Sequence, residues 1–252
     1  MVQRVRMDLH VHSALSLCGA EEMKPPATLL TAEQHGIAIL GIVDHCTAGN
    51  ARAYLEASAA FDVRVFVGLE VESSEGVHLL TLFSELEAAL ELDAIVASHL
   101  PHLLGRTDLL GPQLLLDEWG EVIGTDDRLL IVGTDLDLNE IARLTAERDG
   151  MAVAAHVDRK ANGLLPTLGF IPPDLGVRLF EVSRHTTAAQ ARATWPQLSP
   201  LPVIRSSDAH HLHEIGAAVT WISADLAQAR ITPREFAQRL AEELLASREV
   251  QP

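Results

Sequence analysis

Short apolar runs alternate along this chain with polar residues placed at their ends. Ile37–Val43, Val63–Leu69 and Met151–Ala155 have the length and aliphatic character of buried strands, and they end on Asp44-His45, Glu70 and His156. The opening run, Val5 to Ser13, alternates instead. In an extended chain Asp8, His10 and His12 share one face, which leaves Met7, Leu9 and Val11 to pack on the other. Further strands are predicted over Val77–Leu82, which carries His78, and over Leu129–Val132. Two more are Val177–Phe180, ending on Glu181, and Val203–Ile204, leading to Ser207-Asp208-Ala-His210. Ala217–Ile222 is expected to be the last.

Helices are predicted between these runs. Pro25-Pro26 opens one that runs to His35 and is ended by Gly36, and Ala51–Ala60 has helical composition. Asp137 caps an amphipathic helix that runs to Arg148, and Thr232-Pro-Arg-Glu235 is a capping box opening a C-terminal helix. The least patterned stretch is 84–127, with helical segments over Ser84–Leu92 and Pro112–Trp119 and loop signals at Gly105 and Gly111. It reads as an insertion or lid within a single domain spanning 1–252.

Strand, polar residue and helix recur six or more times, which predicts parallel strands joined by crossover helices. In barrels of that kind the C-terminal strand ends converge on one rim, where active sites lie. His10, His12, His45, Glu70, His156, Glu181 and Asp208 all occupy such ends. Two imidazoles and a carboxylate on one strand suit a divalent cation. A half-buried strand with surface histidines is the plain alternative for the first run, but it does not explain the joint placement.

Composition narrows the picture. Hydrophobic residues make up 48% of the 252 and aromatics 4%, so the core is aliphatic, as in α/β enzymes. A net charge of −16 argues against a broad basic face for nucleic acid, though cations bound at one point would still attract an anionic substrate. Cys18 and Cys46 form no disulfide framework, and no apolar run approaches the ~18 residues of a membrane span. With no cationic and apolar leader at the N-terminus, the expected location is cytoplasmic, with no membrane association.

Taken together, Asp8-Leu-His10-Val-His12, Val43-Asp44-His45, Gly68-Leu-Glu70, His78, Ala155-His156 and Ser207-Asp208-Ala-His210 resemble the ordered motifs of the PHP (polymerase and histidinol phosphatase) superfamily over residues 7 to about 211. The likeness is to its stand-alone phosphoesterases, with no polymerase domain. The resemblance implies a distorted (β/α)7 TIM-like barrel whose centre holds two or three divalent ions (Mn, Fe or Zn) at the C-terminal strand ends. It implies that His10, His12, Glu70 and Asp208 hold one ion, that Glu70 bridges to a second on His78 and His156, and that His45 and His210 hold a third. Where many relatives supply another His or Asp to the third ion, this chain has Cys18. A thiolate is a good ligand for zinc or iron, but a small buried residue with no third ion is an equal reading.

The implied activity is hydrolysis of a phosphate ester, by a metal-activated hydroxide attacking phosphorus. The substrate would be a small phosphorylated metabolite, a nucleotide or a short oligonucleotide. Asp44 is a candidate general acid, or a partner that orients His45. Arg159 and Arg184 are candidates for gripping phosphate oxygens, against a plain reading as solvated loop cations. Two alternatives stand beside this. One is an amidohydrolase-type C–N hydrolase, disfavoured because Glu70 suits the bridge better than Lys24 or Lys160, the only lysines. The other is a catalytically silent metal-binding domain. His35, His99, His102, His211 and His213 are expected to be structural, rim-lining or solvent-facing. Cys46 is expected to be an apolar filler.

Overall fold

The computed structural model describes residues 3–105 and 110–249. Eight strands make the main sheet: β1 (Arg4–Val11), β2 (Ile37–His45), β3 (Arg64–Glu72), β4 (His78–Phe83), β7 (Met151–Ala154), β8 (Leu179–Val182), β9 (Val203–Arg205) and β10 (Thr220–Ser223). They run in the order β10-β1-β2-β3-β4-β7-β8-β9. The sheet curls into a nearly closed barrel. At one end of β1, Arg4 to Met7 pair antiparallel with β10; at the other, Val11 forms a parallel bridge with Ala209, just past β9. The predicted barrel class therefore holds.

Its strands are not all parallel. β4 is antiparallel to both β3 and β7, because a tight turn at Ser73–Val77 joins β3 to β4, with Gly76 at φ 76°. A turn this short returns the chain as a hairpin, whereas a parallel partner needs a long crossover. The reversal has a functional consequence: the start of β4, His78, lies opposite Glu72 at the rim where β3 ends.

Helices α1 (Pro25–Gln34), α2 (Ala51–Ser58), α3 (Leu86–His99) and α4 (Leu138–Ala146) cover the outside. The capping box at Asp137 is formed: its side chain accepts from the Glu140 amide, and Glu140 answers to the Asp137 amide. Shorter helices follow at α5 (Leu164–Leu168), α6 (Ala188–Thr194) and α7 (Ala224–Gln228). The last helix, α8 (Pro233–Glu249), turns inward. Phe236, Ala237 and Leu240 join Met7, Leu9, Phe66, Leu80, Val153 and Ile204 in one buried cluster fed by all eight strands, so α8 plugs the N-terminal mouth of the barrel. Phe236 meets Phe66 edge to face at 5.5 Å, and the Arg64 guanidinium lies 4.8 Å from the Phe66 ring.

Segment 84–127 departs most from expectation. Its first part is α3, a barrel helix packed on β3 and β4. The predicted helix over Pro112–Trp119 is instead the start of a small hairpin, β5 (Leu114–Leu116) with β6 (Val122–Thr125). Tertiary hydrogen bonds hold it extended. The Asn50 side chain donates to the Leu114 carbonyl at 3.0 Å and accepts from the Leu116 amide at 2.9 Å, and Leu114 donates to Ala14. Residues 106–109 of this segment lie outside the described residues. The predicted strand at Leu129–Val132 is a turn, with Leu130 anchored on the Gln113 side chain and Ile131 facing solvent.

Replacing Phe236 by alanine would empty the plug of the barrel floor. The expected loss is about 3–5 kcal/mol, read as a lower urea midpoint with little change in slope.

Candidate metal centre

A register irregularity sets up the whole site. β1 pairs with β2 with two register shifts, a first between Arg6↔Ile37 and Met7↔Ile39 and the one that matters here between Asp8↔Leu40 and Val11↔Ile42. Before the shift, Met7 and Leu9 belong to the barrel interior; after it, Val11 packs in the outer layer while His10 and His12 face inward at the rim. Alternation is thus broken once, and Asp8 does not share a face with the two histidines as simple periodicity predicted. Its buried carboxylate instead accepts from the amides of Ser207 (2.9 Å) and Gly216 (3.0 Å) and ties β1 to the segment after β9. Burial pushes its carboxyl up to about 6 despite those bonds.

The centre is built around Glu70, which is 1% exposed at the end of β3. Its two oxygens face different groups of rings. Oε1 lies 2.7 Å from His78 Nδ1, 3.0 Å from His156 Nε2 and 3.4 Å from His10 Nε2. Oε2 lies 3.1 Å from His45 Nδ1 and 3.4 Å from His12 Nε2. Burial alone would raise the carboxyl, but the charges of His78, His10 and His45 hold it well below the usual carboxylate range. Asp208 completes the wall with Oδ1 3.3 Å from His10 Nε2 and 3.4 Å from His12 Nε2. Its carboxyl too is held far below its ordinary value, against burial, first by His10. Asp208 and His156 have φ of 51° and 25°, a backbone region that non-glycine residues rarely occupy and that recurs at functional sites.

Neighbouring groups fix which nitrogen each ring turns inward. His10 Nδ1 donates to Glu181 at 3.1 Å, leaving Nε2 for the centre. The Ser16 hydroxyl spends its one proton on Asp44 (2.6 Å), so it accepts from His12 Nδ1 (2.9 Å) and leaves Nε2 of His12 facing in as well. His210 Nδ1 donates to the Asp208 carbonyl at 2.9 Å. These are the orienting contacts that metal-binding imidazoles carry.

The donor set fits divalent cations. His10 Nε2 and His12 Nε2 are 3.2 Å apart, so a proton or a cation must lie between two lone pairs. Without a cation the proton stays on His10, whose pKa is raised over the opposition of burial by Glu181 and Asp208, while burial and His210 push His12 down. The buried Nδ1 of His156 has no partner, a cost of about 1–3 kcal/mol for an unmet polar atom. Three sets of donor atoms converge: His10, His12 and Asp208; His45, Glu70 and His78; His12, His45 and His210. His156 joins through Glu70 rather than as a member of these sets.

Cys18 reaches the same rim. It is an exposed residue, and its Sγ lies 3.3 Å from His45 Nε2. Burial opposes ionisation, but hydrogen bonds to His210 and His45 outweigh it and bring the thiol down to about 7. Cys46 is its opposite, a buried thiol pushed up to about 12 by burial.

The three residues expected to act on substrate occupy different settings. Arg159 is half exposed at the rim, with one nitrogen 3.1 Å from Asp208. Arg184 is engaged elsewhere: it pairs with Glu214 at 2.8 Å and reaches the Ser207 carbonyl, while Glu214 accepts from the His210 amide. Asp44 is buried, and its hydrogen bonds go to the Ser13 amide, the Ser13 hydroxyl and the Ser16 hydroxyl. Through Ser16 it steadies His12, not the side chain of His45. Sequence reasoning gave no role to Ser13, Ser16 or Glu214, and left Glu181 as a strand end only. Ser16 has no visible signal beyond standing four residues after His12.

The barrel carries a histidine-rich rim whose donor groups suit divalent cations. The chain matches the PHP domain over residues 8–98 and the PHP-associated domain over 193–244, more than half of its length together. It belongs to the PHP family. No curated protein matches it by sequence. Its fold is similar to that of a lesion-specific endonuclease from Pyrococcus furiosus, with 19% identity and a TM-score of 0.60 over 85% of this chain and 51% of that one. This chain therefore spans about half the length of the endonuclease. A protein from Bifidobacterium adolescentis, assigned by its name to the metal-dependent phosphoesterases, is 16% identical with a TM-score of 0.60, over 85% and 92%. An amidohydrolase from Chromobacterium violaceum is 19% identical with a TM-score of 0.58, over 85% and 90%. At these identities the likeness speaks for the fold.

Two outcomes follow. Glu181→Gln, which weakens the grip on His10, is expected to lower metal affinity by roughly 10–100-fold in competition with a chelator. In metal-stripped protein, the thiolate of Cys18 is the nucleophile, so its alkylation rate is expected to rise with pH and pass half-maximum near 7. A midpoint near 9 would contradict the imidazole contacts.

Proposed function

We propose that this protein is a metal-dependent phosphoesterase acting on a small phosphorylated metabolite, a nucleotide or a short oligonucleotide. The observation that carries the reading is Glu70, a buried carboxylate whose two oxygens are shared between separate groups of imidazoles, as a residue bridging two cations requires. His10, His12, Glu70 and Asp208 would hold one ion, Glu70, His78 and His156 a second, and His45, His210 and Cys18 a third, with manganese, iron or zinc as the candidates. When bound, such ions neutralise phosphoryl oxygens and acidify water near neutral pH.

The chain's own residues prepare that site. Glu181, Ser16 with Asp44 behind it, and the Asp208 carbonyl present the inner nitrogens of His10, His12 and His210. Arg159, open to solvent and tethered to Asp208 by one nitrogen only, keeps donors free to orient a phosphate oxygen. Arg184 and Asp44 have committed their groups to neighbours, which supports positioning roles for both: Arg184 through Glu214 on the His210 backbone, Asp44 through Ser16 on His12. The net charge of −16 favours small anions drawn to the centre over long duplexes held along a surface. We take the chain as one catalytic domain, with the β5–β6 hairpin, docked on Ala14 and Asn50, bordering the site.

The C–N hydrolase reading has less support, since Lys160 is exposed and Lys24 packs against Gly120, leaving the centre without a lysine among the described residues.

The test is hydrolysis of p-nitrophenyl phosphate, its bis ester and a short oligonucleotide by protein loaded with manganese, iron or zinc. At least one is expected to be cleaved. Glu70→Gln is expected to lose roughly a thousand-fold in rate, about 4 kcal/mol. Arg159→Ala is expected to lose roughly ten-fold in kcat/KM, with metal content unchanged. Full metal content without hydrolysis of any ester would favour the silent metal-binding domain.

A further inference from the structure

Three donor residues outside the central cluster converge on the surface beside it. Glu22 stands in the segment between β1 and α1, and His211 and His213 flank the first residue of a single 3-10 turn, Leu212–Glu214, after β9. One donor atom from each lies within 4.8 Å of the others. The rings of His211 and His213 are 5.4 Å apart at centroid, and Glu22 Oε1 is 3.9 Å from His211 Nδ1. None of the three residues belongs to the donor sets of the centre.

The backbone beneath these side chains is fixed while the side chains face solvent. Glu214 accepts from the His210 and His211 amides at 2.9 and 3.3 Å, and it is itself held by Arg184. Leu212 donates to Glu22 Oε1 at 3.2 Å, and Ala20 donates to the His210 carbonyl at 2.9 Å. Two segments are thus laid side by side with their ligating groups at the seam. A site on a fixed frame needs only side-chain rotation to close on an ion.

We infer that Glu22, His211 and His213 form a peripheral site for a transition-metal ion of the zinc type, separate from the central cluster. Two imidazoles and one carboxylate select zinc, nickel or copper over magnesium or calcium, which prefer all-oxygen shells. Three protein ligands leave a further coordination position for water. The ion clamps the segment carrying Cys18 to the segment carrying His210, the two residues that meet across the rim of the centre. This inference does not depend on the hydrolytic reading, since it concerns different residues and is read by binding.

The experiment is equilibrium dialysis against zinc of purified protein with its central metals retained. Metal content is measured for wild type, Glu22→Gln and the His211→Ala/His213→Ala double variant, with hydrogen exchange of the Leu212 amide followed with and without zinc. Wild type is expected to take up one equivalent more than the double variant, with weaker uptake in Glu22→Gln and slower Leu212 exchange only in wild type. Because the three side chains are exposed, all variants are expected to keep the circular dichroism and melting curve of wild type. Equal zinc content in wild type and the double variant would overturn the site. Loss of two or more equivalents would place these residues in the central cluster instead. An extra equivalent without slower Leu212 exchange would overturn the clamp.

Discussion

A carboxylate with almost no solvent exposure cannot stay ionised unless positive charge or a cation is supplied around it, and Glu70 is the case on which this molecule turns. Five imidazoles, from β1, β2, β4 and the end of β7, stand within 3.4 Å of its oxygens. They come from four separate stretches of chain, so the barrel must bring the strand ends to one rim before the rings can gather there. Proton and cation compete for the same nitrogens there, which links the acid–base state of the cluster to whatever ion it holds.

The rim is assembled by two departures from regular geometry. The register shift in β1 turns His10 and His12 inward above a core of Met7 and Leu9, and it sends Asp8 to a structural post against Ser207 and Gly216. The antiparallel β4 contributes its first residue, His78, where a parallel strand would have contributed its last. Around these sit residues whose work is to hold others: Glu181 on His10, Ser16 and Asp44 on His12, Arg184 and Glu214 on the loop of His210. Groups supported in this way are preorganised and need little rearrangement to act together.

The far end of the barrel does the opposite job. Phe236 and Leu240 close its floor against Phe66, and that apolar plug lets the interior stay dry while the upper rim is polar. The hairpin over the rim is held by the side-chain amide of Asn50 in place of a neighbouring strand, which is why a stretch of three leucines followed by acidic residues reads as helix yet folds as β5.

The strands, most helices and the donor residues at the strand ends were determined by local signals in the sequence. Aliphatic runs such as Ile37–Val43 can only be buried, Asp137 and Glu140 can only cap, and histidines and Glu70 at the ends of such runs converge once the strands close into a barrel. What the sequence left open depends on contacts between distant segments. A period of two cannot reveal the shift between Asp8 and Val11 that separates Asp8 from His10, because that shift answers to pairing with β2. Nor can local pattern assign Asp44 to Ser16, Arg184 to Glu214, or Asn50 to the hairpin, since each partner lies 28 or more residues away and is chosen by packing. Residue type, set by sequence, decided which groups could bind a cation; three-dimensional proximity decided which of them stand together and which hold others in place.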